Sequence, residues 1–156
     1  MKIGIISTKP LPKKINHPIV NYLNVNMKII MLYGPSSSGK TTTINMVYDQ
    51  LKKNKSTIDI SPKEIVENND FKAIIRYKSK TIAFFSRGDY SREVNWIMTD
   101  YDKQKCDVLV CACNDKNILP LRRLQNVYMN VCPPINKNEA NDVDNLRAMS
   151  DIMALI

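Results

Sequence analysis

Residues 34 to 41 read Gly34-Pro35-Ser36-Ser37-Ser38-Gly39-Lys40-Thr41, and the runs on either side decide what that segment can be. Before it, Lys28 to Tyr33 holds the apolar stretch Ile29-Ile30-Met31-Leu32 and closes on a Gly-Pro turn. That pattern predicts a strand buried on both faces of a parallel sheet. After it, Ile44, Val47, Tyr48 and Leu51 recur at i, i+3, i+4 and i+7, an apolar helical face. The helix fades at Lys52-Lys53-Asn54-Lys55, where cations suit its C-terminal dipole. The chain has only four glycines and two of them bound this turn, which argues against a chance match in a Ser-rich stretch.

Glycine is needed where backbone wraps closely around an anion and takes positive φ. A loop of this spacing points the backbone N–H groups of Ser36 to Thr41 at phosphate oxygens, at the positive end of the helix dipole. Lys40 then meets the terminal phosphates as a point charge, and the Thr41 hydroxyl completes the coordination of Mg²⁺.

Residues 28 to 55 resemble the start of a P-loop NTPase domain. The resemblance implies a nucleoside triphosphate with Mg²⁺, held on an α/β three-layer sandwich whose sheet is mostly parallel. It carries a binding role onto Gly34, Pro35, Ser36, Ser37, Ser38, Gly39, Lys40, Thr41 and Thr42. It does not fix a reaction, because the superfamily includes kinases, GTPases and motor ATPases.

Elsewhere the pattern is that of strands alternating with helices, an α/β layered domain. Ser61-Pro62-Lys63-Glu64 combines an N-cap, a proline at the first helical position and a capping-box Glu, and predicts a short helix to about Asn68. Phe71 to Tyr77 and Thr81 to Phe85 are β-prone runs around Lys78-Ser79-Lys80, which predicts one antiparallel hairpin. Ser91 is placed to cap a helix bearing Val94, Ile97, Met98 and Tyr101. Asp107 to Cys113 is a second strongly apolar strand, and residues 127 to 132 form a weaker one stopped by Pro133-Pro134. A last helix from about Glu139 carries Val143, Leu146, Met149, Met153 and Ile156.

The compact domain is expected over residues 27 to 156. Residues 1 to 26 hold Pro10, Pro12 and Pro18 and no helical period, and Met1-Lys2-Ile3 is echoed by Met27-Lys28-Ile29. They read either as a loosely held arm or, through residues 2 to 6, as an extra edge strand. Lys2, Lys9, Lys13 and Lys14, with no acid among them, supply half of the formal charge of +8. The excess therefore sits in the head as much as on the domain, and no basic run interleaved with aromatics marks a nucleic-acid surface.

The Mg²⁺ acid is harder to place. In this superfamily it ends an apolar strand beside the phosphate loop. Ile82 to Phe85 ends instead in Ser86-Arg87-Gly88-Asp89, and Asp115 follows the other strong strand after Asn114. Asp89 is preferred, on the expectation that its strand adjoins the loop strand and that Gly88 turns it inward. Arg87, Arg92, Arg122 and Arg123 are candidates to clamp transferred phosphate charge, Arg87 first among them. Neither Ser86 to Asp89 nor Asn114-Asp115-Lys116-Asn117 matches a GTPase signature, so ATP is favoured over GTP.

Other chemistries find less support. Cys106, Cys111, Cys113 and Cys132 match no zinc spacing and read as buried thiols of a reduced, cytoplasmic protein. The single histidine, His17, lies in the head, which leaves a Ser-His-Asp hydrolase without its base. No apolar run approaches the roughly 20 residues of a membrane span, and Ile3 to Ile6 is too short for a signal peptide. The function expected is ATP hydrolysis or phosphoryl transfer to a small acceptor. The alternatives are a nucleotide-liganded switch or assembly subunit with a protein partner, and an ATPase acting on nucleic acid.

Overall fold

The computed structural model describes residues 27–88, 100–101, 103–116, 126 and 130–156. Strand β1 (Lys28–Gly34) leads into helix α1 (Lys40–Lys52). Strands β2 (Ile58–Glu67), β3 (Asp70–Tyr77) and β4 (Lys80–Phe85) follow in succession. Strand β5 (Val108–Asn114), the short β6 (Ile135–Asn136) and helix α2 (Asp142–Leu155) complete the described elements. They form one six-stranded sheet in the order β2-β3-β4-β5-β1-β6. β1 runs parallel to β5 and β6, and β4 runs parallel to β5, whereas β2, β3 and β4 form an antiparallel meander. The protein is thus α/β with a mixed, mostly parallel sheet. Neither α1 nor α2 is long and apolar enough to cross a membrane.

Alternation along the central strands divides the core in two. Ile30 and Leu32 of β1, Val108, Val110 and Ala112 of β5, and Phe84 of β4 face α1 and α2. They meet Ile44, Val47 and Leu51 of α1 and Ala148 and Ile152 of α2. Tyr48 closes this layer with edge-on contacts to Phe71 and Phe84. Ile29, Met31, Leu109, Cys111, Cys113 and Phe85 point to the opposite face, around Tyr101. The Tyr101 hydroxyl donates to the carbonyl of Phe84 at 3.1 Å. The central strands are buried on both faces, which is why they read as continuous apolar runs.

Several expectations differ from the observed fold. The helix predicted from Ser61 is instead part of β2, which pairs antiparallel with β3. Ile58, Ile60, Ile65 and Val66 are β-branched and offer no helical face, and Asn68 and Asn69 both take positive φ, as a two-residue hairpin turn requires. Pro62 is tolerated because β2 is an edge strand with register shifts around it. The antiparallel region is therefore two consecutive hairpins, not one. In the last helix, Met149, Met153 and Ile156 pack partly buried against the core as expected, but Val143 and Leu146 are exposed, and Asn145, Ala148 and Ile152 are the buried residues. The helix starts at Asp142, later than Glu139, because Asn141 caps it by accepting from the Asp144 N–H. Finally, β4 does not adjoin β1: β5 lies between them.

Of the strand predicted over 127 to 132, residues 127 to 129 lie outside the described residues, and Val131 makes an isolated parallel bridge with Ile29. The expected helix from Ser91 lies outside the described residues except at its end, where Tyr101 is buried.

Candidate functional site

The carboxyl ends of β1 and β5, the start of α1 and the segment after β4 meet at one edge of the sheet. Gly34 pairs with Asn114 across β1 and β5, and the Asp115 N–H donates to the Gly34 carbonyl at 2.9 Å. Ser37 and Gly39 take positive φ, 60° and 88°, and turn the chain into α1. Gly34 has a second constraint: a Cβ there would sit 1.9 Å from the carbonyl oxygen of Lys137. Both glycines of the motif are thus fixed by backbone geometry.

The two described helices begin differently. α2 has a side-chain cap from Asn141 and carries Asp142 and Asp144 in its first turn. α1 is capped by Gly39 with no side-chain hydrogen bond, and its first turn has no acid. The positive end of α1 is therefore not neutralised by its own sequence. It opens on a cavity of about 360 Å³ whose floor is Ser36, Ser37 and Gly39 to Thr42. Asp70, Ser86, Gly88 and Ala140 form the rest of the lining.

Lys40 is largely buried. Its ammonium donates to the carbonyls of Gly34 at 2.9 Å and Pro35 at 2.5 Å and to the Ser38 hydroxyl at 3.4 Å, so it braces the loop as well as charging it. The Thr41 hydroxyl donates to Asp70 Oδ1 at 2.5 Å. Ser86, buried at the end of β4, donates to the same oxygen at 3.1 Å and accepts from the Phe71 N–H at 2.9 Å. A hydroxyl and a carboxylate thus stand together on the cavity wall. These are the hard oxygen donors that suit Mg²⁺, which keeps several waters.

A second group lies behind the loop. Lys137 is fully buried. Its ammonium donates to the Ser38 carbonyl at 2.8 Å, to Asp144 Oδ2 at 3.0 Å and to the Glu139 carbonyl. Asp144 also accepts from Arg147, at 2.7 Å. The Arg147 guanidinium first, and the Lys137 ammonium after it, hold the Asp144 carboxyl well below the usual carboxylate range. The Asn145 carboxamide lies 3.4 Å from the Thr43 hydroxyl, which itself donates to the Gly39 carbonyl at 2.8 Å.

The residues singled out in the sequence are distributed unevenly about this site. Ser36, Ser37, Gly39, Lys40, Thr41 and Thr42 line the cavity, with Gly34, Pro35 and Ser38 in the loop beneath. Arg87 has a largely covered side chain that pairs with Glu67 of β2 at 3.0 Å. Gly88 has its carbonyl bonded to the Asn114 N–H, and a Cβ there would lie 2.6 Å from the backbone of Ala112. Close approach to β5, not a positive φ, is what requires glycine there. Asp89, Arg92, Arg122 and Arg123 lie outside the described residues. Asn114 donates from its carboxamide to the Ser36 hydroxyl at 2.7 Å and accepts the Lys116 N–H at 3.0 Å, so it faces the loop.

Cys111 and Cys113 are buried in the sheet, and burial pushes the Cys113 thiol up to about 11. Sequence reasoning missed Asp70 and Lys137. Asp70 opens a strand after an Asn-Asn turn, and Lys137 follows a proline pair, so neither carried a motif.

Comparison of the chain with protein-family models, with curated proteins and with solved structures finds no match.

Proposed function

We propose that this protein is a P-loop nucleotide-binding protein that takes ATP as its Mg²⁺ complex and acts on the terminal phosphoryl group. One observation carries the reading: α1 begins without a side-chain cap or a first-turn acid, at the floor of a cavity that also presents Lys40 and Thr41. By contrast α2, the other described helix, is capped and charged by Asn141, Asp142 and Asp144. An uncapped helix start with a lysine in its first turn is an anion site.

The chain's own residues have separable roles in this reading. The loop amides and the helix dipole orient the phosphates, and Lys40 shifts from the loop carbonyls toward the terminal phosphates. The Thr41 hydroxyl and a carboxylate hold Mg²⁺, which when bound supplies charge neutralisation of the phosphate oxygens. Positioning of this kind is most of what phosphoryl transfer needs from a protein. The acceptor is water or a small hydroxylic molecule. ATP is preferred because Asn114 faces the loop hydroxyl of Ser36 rather than forming part of a guanine-reading signature.

Calorimetric titration of ATP·Mg²⁺ into wild type and Lys40→Ala tests the reading, with phosphate release followed in parallel. Affinity is expected to fall at least about tenfold, about 1.4 kcal/mol, in a variant whose circular dichroism remains native. Equal affinity of the two folded proteins would remove the central claim.

A further inference from the structure

A carboxylate on the wall of an anion site is a contradiction unless something positive joins it. Asp70 is such a group: it lines the same cavity as Gly39, Lys40 and Thr41. Among the described residues no lysine or arginine forms an ion pair with it. A polyphosphate seated on the start of α1 would face this charge across a few ångströms and be repelled by it.

The geometry points to Asp70 as the carboxylate that, with Thr41, holds the divalent cation of the proposed nucleotide complex, supplied by an antiparallel strand rather than by the end of a parallel one. The inference rests on the nucleotide-binding reading above. Its support is the arrangement of hydrogen bonds. The Thr41 hydroxyl gives its proton to Asp70 Oδ1, which leaves the lone pairs of that hydroxyl for a cation. Ser86 gives its proton to the same oxygen while accepting the Phe71 N–H, so its donor direction is fixed by the β3–β4 ladder. Both bonds fall on Oδ1, and Oδ2 accepts no hydrogen bond from a described residue. It is available to a cation or to one of its waters. Loss of a group that orients a metal ligand in this way typically costs about 10–100-fold in metal affinity.

Asp115 is a poor rival. Its backbone N–H is bonded to Gly34 and its carbonyl accepts from the Tyr33 hydroxyl, it is exposed, and it is not part of the cavity lining. The topology explains why Asp70 reaches the site. β3 pairs antiparallel with β4, so the first residues of β3 lie beside the last residues of β4, at the edge where the loop sits. Asp70 begins where a parallel neighbour would have ended.

The test compares ATP binding with Mg²⁺ and with EDTA, by calorimetry, for wild type, Asp70→Asn, Ser86→Ala and Asp89→Asn. Mn²⁺ bound in the presence of ADP, read by electron paramagnetic resonance, is a second measure independent of turnover. In wild type, Mg²⁺ is expected to tighten ATP at least about tenfold. In Asp70→Asn the metal-free affinity should hold or improve, because a repulsive charge is gone, while the gain from Mg²⁺ and the Mn²⁺ signal are lost. Ser86→Ala should lose part of that gain. Affinity that falls equally with and without metal would make Asp70 merely structural and overturn the assignment. So would a full Mg²⁺ gain in Asp70→Asn, or its loss in Asp89→Asn alone, and the nucleotide reading would then stand without it. A wild-type protein that binds neither ATP nor GTP under either condition would overturn both.

Discussion

The buried ammonium of Lys137 donates to the carbonyl of Ser38 at 2.8 Å, joining the end of β6 to the loop at the start of α1 across 99 positions of sequence. The same ammonium is paired with Asp144 in the first turn of α2. The conformation of the loop is thus fixed from behind by two elements that come last in the chain. Replacing Lys137 with Met keeps the volume of the stem but leaves the Ser38 and Glu139 carbonyls without this donor. We expect a loss of about 3 kcal/mol, within the range for breaking a buried pair from one side. ATP affinity should also fall, measured well below the melting transition. Urea denaturation and calorimetry on the same samples check both, and a Lys137→Met protein of wild-type stability would contradict this account.

Acid should weaken the protein through Asp144. Arg147 first and then Lys137 hold its carboxyl below the ordinary range in the folded state. A depressed folded value means that the stabilisation is complete above the unfolded value near about 4 and is lost as pH falls further. Urea midpoints between pH 3 and 7 should decline at the acid end for wild type. Asp144→Asn should start lower and decline less steeply. Identical slopes for the two proteins would show that Asp144 does not carry the acid limb.

Gly34 admits no side chain. The Cβ of Gly34→Ala would lie 1.9 Å from the Lys137 carbonyl oxygen, a backbone atom that moves only if β6 moves. Overpacking of this kind costs about 1–3 kcal/mol or more, and here it also displaces the support of Ser38. Gly39→Ala faces a positive φ of 88° and the Asn145 carboxamide oxygen at 2.7 Å. Both variants should melt earlier than wild type. A Gly34→Ala melting curve that overlays the wild type would place β6 elsewhere.

A chain that starts at Met27 should melt within a few degrees of full length and bind ATP with the same affinity. Pro10, Pro12 and Pro18 and the lack of a periodic apolar face motivate this. Shortening also removes Lys2, Lys9, Lys13 and Lys14, so any non-specific DNA binding should weaken with it. If residues 2 to 6 belong to the sheet, the shortened chain would aggregate or melt far earlier. The boundary at Met27 would then be wrong.

Local pattern was a reliable guide where one strand or one helix face decides the outcome. Lys28 to Gly34, the face Ile44-Val47-Tyr48-Leu51 and the run Asp107 to Cys113 appear as β1, α1 and β5, because burial on both sides writes an unbroken apolar run, and burial on one stripe a helical period, into the residues themselves. It misled at Ser61 to Glu64. A helix-start signature there gave way to a hairpin, because pairing with β3 satisfies the backbone and no helical face was available to bury. In α2 the large apolar residues Val143 and Leu146 suggested one face, but Asn145 and Ala148 are the ones that fit against α1 and the loop.

The sequence by itself determined where the loop lies: two glycines, a lysine and a threonine at fixed spacing between a strand and a helix, since residue type and spacing are local properties. Tertiary structure alone decided what surrounds it. Asp70 reaches Thr41 across 29 positions, Lys137 reaches Ser38 across 99, and Asn114 reaches Ser36 across 78. Such contacts depend on strand order, with β5 and β6 flanking β1 and β3 running antiparallel beside β4. Strand order is set by how whole faces pack, a property that no local run of residues encodes.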